Sequence, residues 1–115
     1  MLPTGNIYGG WPDSGEIDIV EHVGFDPDVV HSTVHTRAYY HSIGTQRGKN
    51  TKVPTARSEF HTYAVEWTPE EIRGYVDGNV FHGGEYARRS LLMAPTWPHS
   101  RNKRVQFARG VQLDG

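Results

Sequence analysis

The sequence predicts an all-β fold. Short runs of β-branched residues alternate with polar ones, thirteen Gly, seven Pro and thirteen aromatic residues suit strands and turns, and Asp77-Gly78 is a strong two-residue hairpin signal.

The elements follow in chain order. Residues 15–23 hold Ile17, Ile19, Val20 and Val23 and read as a strand. Gly24-Phe25-Asp26-Pro27-Asp28 then reverses the chain into a second strand over 29–36, where His31, Thr33 and His35 share one face. The polar stretch 37–58, with Tyr39-Tyr40-His41, Gly44, Gly48 and Lys49-Asn50, reads as a long loop bordering a cleft. A third strand is expected over 59–67, with Trp67 in step with Tyr63 and Val65 and therefore a core residue. Thr68-Pro69-Glu70-Glu71 could open a helical turn with Thr68 as its cap. Strands over 71–77 and 79–82 flank the hairpin at Asp77-Gly78.

The first strand carries the chemistry. Alternation puts Glu16 and Asp18 on one face and Ile17 and Ile19 on the other, but a regular strand would swing Glu21 to the apolar face. There an unpaired carboxylate costs several kcal/mol or takes up a proton. A one-residue bulge near Val20 returns Glu21 to the acidic face, and bulges are common beside active sites. Backbones at Glu16 and Glu21 are then roughly 13 Å apart. Inward-leaning side chains reach the separation of about 5–5.5 Å used by retaining glycosidases; the wider inverting separation of about 6.5–9.5 Å stays open, as does a merely solvated acidic face. Three acids on one short strand repel one another, so at least one should hold its proton to unusually high pH.

Composition bounds the rest. The chain's 115 residues allow one domain, contain no cysteine and have no apolar run approaching the ~20 residues of a membrane helix. His31 and His35 have helical zinc-site spacing, but the residues between them lack the glutamate of a zinc peptidase and favour a strand, so no metal and no cofactor are predicted. The net charge of −1 hides an asymmetry: residues 1–85 carry six basic and twelve acidic residues, and residues 86–115 carry six basic residues against Asp114. Residues 86–115 therefore form a basic tail, either an arm for anionic partners or the product of a shifted reading frame.

The run Gly15-Glu16-Ile17-Asp18-Ile19-Val20-Glu21-His22-Val23-Gly24, preceded by Trp11-Pro12-Asp13-Ser14, resembles the signature of glycoside hydrolase family 16 in its laminarinase-like branch. Further matches are Met1-Leu2-Pro3-Thr4, Tyr8-Gly9-Gly10, His31-Ser32-Thr33-Val34-His35-Thr36, Phe60-His61-Thr62-Tyr63-Ala64-Val65-Glu66-Trp67-Thr68-Pro69 and Tyr75-Val76-Asp77-Gly78, together covering about residues 1–83. The resemblance implies a β-jelly-roll sandwich incomplete at both ends, with residues 1–85 as a partial catalytic domain. It also implies hydrolysis of β-1,3-glucan with retention, with Glu16 as nucleophile, Asp18 as assisting acid and Glu21 as general acid/base. Trp11 is expected to offer its indole face to a sugar ring, and His35 to hydrogen-bond substrate. Met1 matches a methionine packed beside the catalytic strand.

Met1 also matches an internal family position and no signal peptide precedes it, so the chain is expected to begin in mid-domain. Complete relatives are secreted or periplasmic; the complete protein is expected to act on β-glucan as a monomer, while the isolated chain, with open sheet edges, is expected to be weakly active or inactive. Two other classes stand beside this reading: a non-hydrolytic β-glucan-binding protein, which the three intact acids disfavour, and nucleic-acid binding through the basic tail, which the acidic body disfavours.

Overall fold

A computed structural model describes residues 1–68, 71–85 and 103–108. Their strands are β1 (Glu16–His22), β2 (Val29–His35), β3 (Arg47–Lys52), β4 (Thr62–Trp67), β5 (Glu71–Val76), β6 (Asn79–Glu85) and β7 (Lys103–Ala108). One 3₁₀ turn, His41–Ile43, is the helical element among the described residues. The strands form two antiparallel sheets, in the orders β1-β2-β3 and β6-β5-β4-β7.

The sheets stack because each presents an apolar face to the other. Ile17 and Val34 from the first sheet meet Val65 and Ile72 from the second, with Met1, Ile19, Tyr39 and Trp67 at the margin. A second cluster joins Val30, Val53 and Ala56 to Tyr63 and Val76. Trp67 thus packs on the core, as its phase with Tyr63 and Val65 predicts, and Met1 packs beside β1.

Strands lie in two segments where the sequence predicts none. Residues 37–58 were expected to be a loop, but Arg47–Lys52 pair with β2 from Lys52↔Val29 to Arg47↔Val34. This strand is almost wholly exposed, so it lacks the apolar alternation that marks a half-buried strand. Within the basic segment 86–115, residues 103–108 pair with β4; the rest of that segment lies outside the described residues. The strand expected over 59–67 begins at Thr62.

The turn chemistry is as anticipated at Asp77-Gly78. Both residues have positive φ, 49° and 80°, as a type I′ turn requires, and Val76 pairs with Asn79 across it. Thr68 and Glu71 close the β4–β5 hairpin: the Thr68 N–H donates to the Glu71 carbonyl at 2.8 Å, and the Glu71 N–H donates to the Thr68 hydroxyl at 3.1 Å. Pro69 and Glu70, within the segment that could open a helical turn, lie outside the described residues.

Candidate active site

The acids share a face because β1 is bulged. Asp18 pairs with Thr33 and Glu21 with His31, so three steps along β1 span two along β2. The extra residue lies between Asp18 and Glu21, where the sequence requires it, and Val20 is turned outward at 37% exposure. Glu16, Asp18 and Glu21 are therefore ladder partners of His35, Thr33 and His31, the three residues expected to share one face of β2.

Trp11 binds the first acid. Its indole Nε1–H donates to Glu16 Oε2 at 2.5 Å, while the residue stays 45% exposed. The loop that presents it is tightly braced: the Asp13 N–H donates to the Gly10 carbonyl at 2.8 Å, Gly15 N–H to the Pro12 carbonyl at 2.9 Å, and the Ser14 hydroxyl to the Gly9 carbonyl at 2.6 Å. Gly9 is needed there; its φ is 122°, and a Cβ would lie 2.8 Å from Asp13 Oδ2.

Asp18 is the acid whose proton is held. Burial is the main cause, the Glu16 and Glu21 charges add to it, and a hydrogen bond with Glu16 contributes, so its pKa is pushed up to about 6. Repulsion within the triad was legible in the sequence; that Asp18 bears it follows from its depth, with a side chain 17% exposed.

His35 lies beneath the aromatic residues. Its Nε2 is 3.4 Å from Asp18 Oδ2, and the residue is 8% exposed. Burial pushes its imidazolium below the ordinary range; His41 acts in the same direction, and the Glu16 and Glu21 charges oppose. Its Nδ1 is buried and has no partner among the described residues. His35, expected from the sequence to meet substrate, contacts Asp18. His41, which the sequence marks only as part of a loop, stands with its ring centroid 5.0 Å from Trp11 and 5.5 Å from His35. Tyr40 meets the Trp11 ring edge-on at 5.8 Å. A lone loop histidine carries no spacing signal, so only the expectation that this loop borders the cleft pointed to it.

Ligand-type atoms of Glu16, Asp18 and His35 lie within 4.8 Å of one another, close enough to hold a cation. A proton shared by crowded carboxylates accounts for the same closeness, and the sequence predicts no metal.

Beyond Glu21 the face continues. The Thr33 hydroxyl donates to Glu21 Oε2 at 3.3 Å, and next to it a polar cavity of about 290 Å³ is lined by His31, Thr33, Gln46, Gly48, Lys49 and Asn50. This volume lies near the lower end of small-ligand sites, about 300 Å³. The face can therefore offer a carboxylate held by a donor, an acid beside it that keeps its proton up to about pH 6, a third acid across the bulge and an adjoining polar cavity.

Known proteins resemble the chain in sequence and fold. The chain is 64% identical over 84 residues to a beta-glucanase of Rhodothermus marinus, a match covering 71% of this chain and 29% of that protein. The crystal structure of the laminarinase from Rhodothermus marinus superposes with a TM-score of 0.73 at 51% identity, covering 93% of this chain and 44% of that one. A mutant of SCLam, a non-specific endo-beta-1,3(4)-glucanase, co-crystallised with 1,3-beta-D-cellotriosyl-glucose, superposes with a TM-score of 0.73 at 32% identity, covering 93% of this chain and 40% of that one. The chain thus spans less than half the length of each of these proteins, and its two antiparallel sheets are part of a jelly-roll sandwich. The family model for glycosyl hydrolases family 16 matches residues 4–109, nearly the whole chain, and the chain belongs to that family.

Proposed function

We propose that this chain carries the catalytic strand of a retaining endo-β-1,3-glucanase. The observation that carries the reading is the β1 bulge, which keeps Glu16, Asp18 and Glu21 on one face beside an indole that holds Glu16. In the first half-reaction the Glu16 carboxylate attacks the anomeric carbon and the bond to the leaving oxygen breaks. Glu21 gives its proton to that oxygen. In the second, Glu21 takes a proton from water, the resulting hydroxyl attacks the same carbon, and the bond to Glu16 is released.

Asp18 and Trp11 act on Glu16. The indole N–H donates to the carboxylate, and Asp18 is a second donor where it carries its proton, below about pH 6; glycosylation of Glu16 removes one of the charges that raises Asp18. His35 bears on Asp18 and keeps it in place from below. The exposed face of Trp11 is a platform for a sugar ring, and the cavity at His31, Gly48 and Asn50 takes a further unit beyond Glu21.

Support for β-1,3-glucan as substrate comes from the relatives; loops around the cleft decide which sugar fits. In its complete form the protein would be secreted or periplasmic and monomeric. No helix among the described residues is long and apolar enough to cross a membrane.

The test is covalent trapping. A 2-deoxy-2-fluoro-β-laminaribiosyl donor with a good leaving group should lose that group and add one fluorinated disaccharide to Glu16, detected by peptide mass spectrometry and lost in Glu16→Gln. Label on another residue, or laminarin hydrolysis with inverted anomeric configuration, would reject the reading. Laminarin retention with neither label nor product would make the chain a glucan-binding protein. Salt-sensitive DNA retention without sugar release would turn attention to the basic segment.

A further inference from the structure

The back of the catalytic strand is tied to the second sheet. Ser32, on the β2 face opposite the acids' partners, is 2% exposed, and its hydroxyl donates to the main-chain carbonyl of Asp18 at 2.9 Å. The same Oγ lies 3.1 Å from Nδ1 of His82, a β6 residue that is 4% exposed. A serine hydroxyl has one proton and a carbonyl can only accept. Since that proton goes to Asp18, the proton in the second bond belongs to His82 Nδ1, which fixes the ring's tautomer.

Two features show how the contact is accommodated and where it acts. Gly74, the ladder partner of His82, leaves the space it needs; a Cβ there would lie 3.2 Å from His82 Cβ and 3.4 Å from Ser32 Oγ. Asp18 is the last residue in register before β1 slips. A bulge interrupts the backbone ladder at such a point, and Ser32 supplies a bond to the carbonyl there.

We propose that Ser32 and His82 are positioning residues, a two-bond relay from the second sheet that fixes the β1 bulge and so holds Glu21 on the face of Glu16 and Asp18. The proposal rests on the reading of those acids as catalytic groups, but its geometry is testable without turnover. Burial, with Lys49 nearby, disfavours the charged ring and keeps His82 suited to a neutral relay.

Nitrogen-15 NMR of the full chain reads the tautomer directly, and amide exchange reads the bulge. The expected result is a His82 ring protonated at Nδ1. Ser32→Ala and His82→Phe should speed exchange at Ile19, Val20 and Glu21 by about five- to tenfold, the equivalent of one net hydrogen bond, with Val65 and Tyr75 unchanged. His82→Asn, whose side-chain NH₂ can take the place of Nδ1–H, should restore slow exchange. An Nε2–H tautomer in the unmodified chain would overturn the relay even if no variant folds. So would unchanged exchange at the bulge, or a rise spread evenly over both sheets. Where laminarin is hydrolysed, loss of the relay should lower kcat and leave KM unchanged. The expected NMR result in a chain that transfers no sugar to Glu16 would fault the catalytic reading alone.

Discussion

Asp18 is held at a cost to the fold. Its unfolded pKa is near 3.8 and its folded value about 6, so the folded state binds the proton more tightly. Stability then falls as pH rises from about 4 to about 6, and the loss persists above that range. Asp18→Asn removes the charge, and is expected to raise unfolding free energy by ~1–3 kcal/mol at pH 8 while changing it little at pH 3.5. Urea denaturation at the two pH values checks this; equal effects at both would contradict the assignment. Trp11 combines two contributions that substitution can separate. Trp11→Phe retains a flat face and loses the donor to Glu16, so in laminarin hydrolysis kcat should fall about 10- to 100-fold with KM changed by less than about threefold. Trp11→Ala should raise KM as well, and identical KM values for the two variants would remove the platform role. The acids were legible in the sequence because Glu16 and Asp18 share a strand face while Glu21 falls out of phase with it. His41 was not, because its contacts with Trp11 and His35 are made across the chain rather than along it.

At the scale of elements, the β5–β6 hairpin shows how a turn fastens a neighbouring strand. Asp77 Oδ1 accepts from the Thr62 N–H at 2.8 Å, and Oδ2 lies 2.7 Å from His61 Nδ1. The hydrogen bond with Asp77 pushes His61 up, and the one with His61 holds Asp77 below the usual carboxylate range. His61 contributes stability that is present below pH 6.5 and lost as pH rises through its higher folded value. Asp77 contributes above pH 3.8, and its share is lost as pH falls through its lower folded value. Both act between about pH 4 and 6.5. Asn at 77 tolerates positive φ and keeps an acceptor for Thr62, so Asp77→Asn isolates the charge. The Tm difference from the unmodified chain should be largest near pH 5.5 and shrink above pH 8; a difference independent of pH would contradict the ion pair. The hairpin was legible because Asp-Gly suits only a few turns. The Arg47–Lys52 strand was not, since its pairing is made by backbone and its side chains are mostly exposed. Lys103–Ala108 alternates Val105 and Phe107 with polar residues, but the surrounding basic composition masked that pattern.

Across the whole molecule, the acids keep their geometry because their strand, paired with β2 in its own sheet, is packed against the second sheet. The sequence pattern showed which face of β1 is apolar; which residues of the other sheet meet it depends on long-range pairing that local periodicity does not encode. Ile17 stands between Glu16 and Asp18 in the chain and is fully buried against Val34, Val65 and Ile72. Removing its side chain leaves a cavity at the sheet interface, and buried Ile→Ala changes remove about 2–5 kcal/mol of stability. Ile17→Val, which loses one methylene, should remove about 0.5–1.5 kcal/mol. Urea denaturation followed by far-UV circular dichroism should show the midpoint falling in that order at constant slope, since the surface exposed on unfolding is nearly unchanged. The carboxylates ride on the same strand, so Ile17→Ala should also speed amide exchange at Asp18 more than at Tyr63, whose side chain packs in the other cluster. A loss below about 0.5 kcal/mol for Ile17→Ala would mean that the interface collapses around the gap and that the clamp on the acids lies elsewhere.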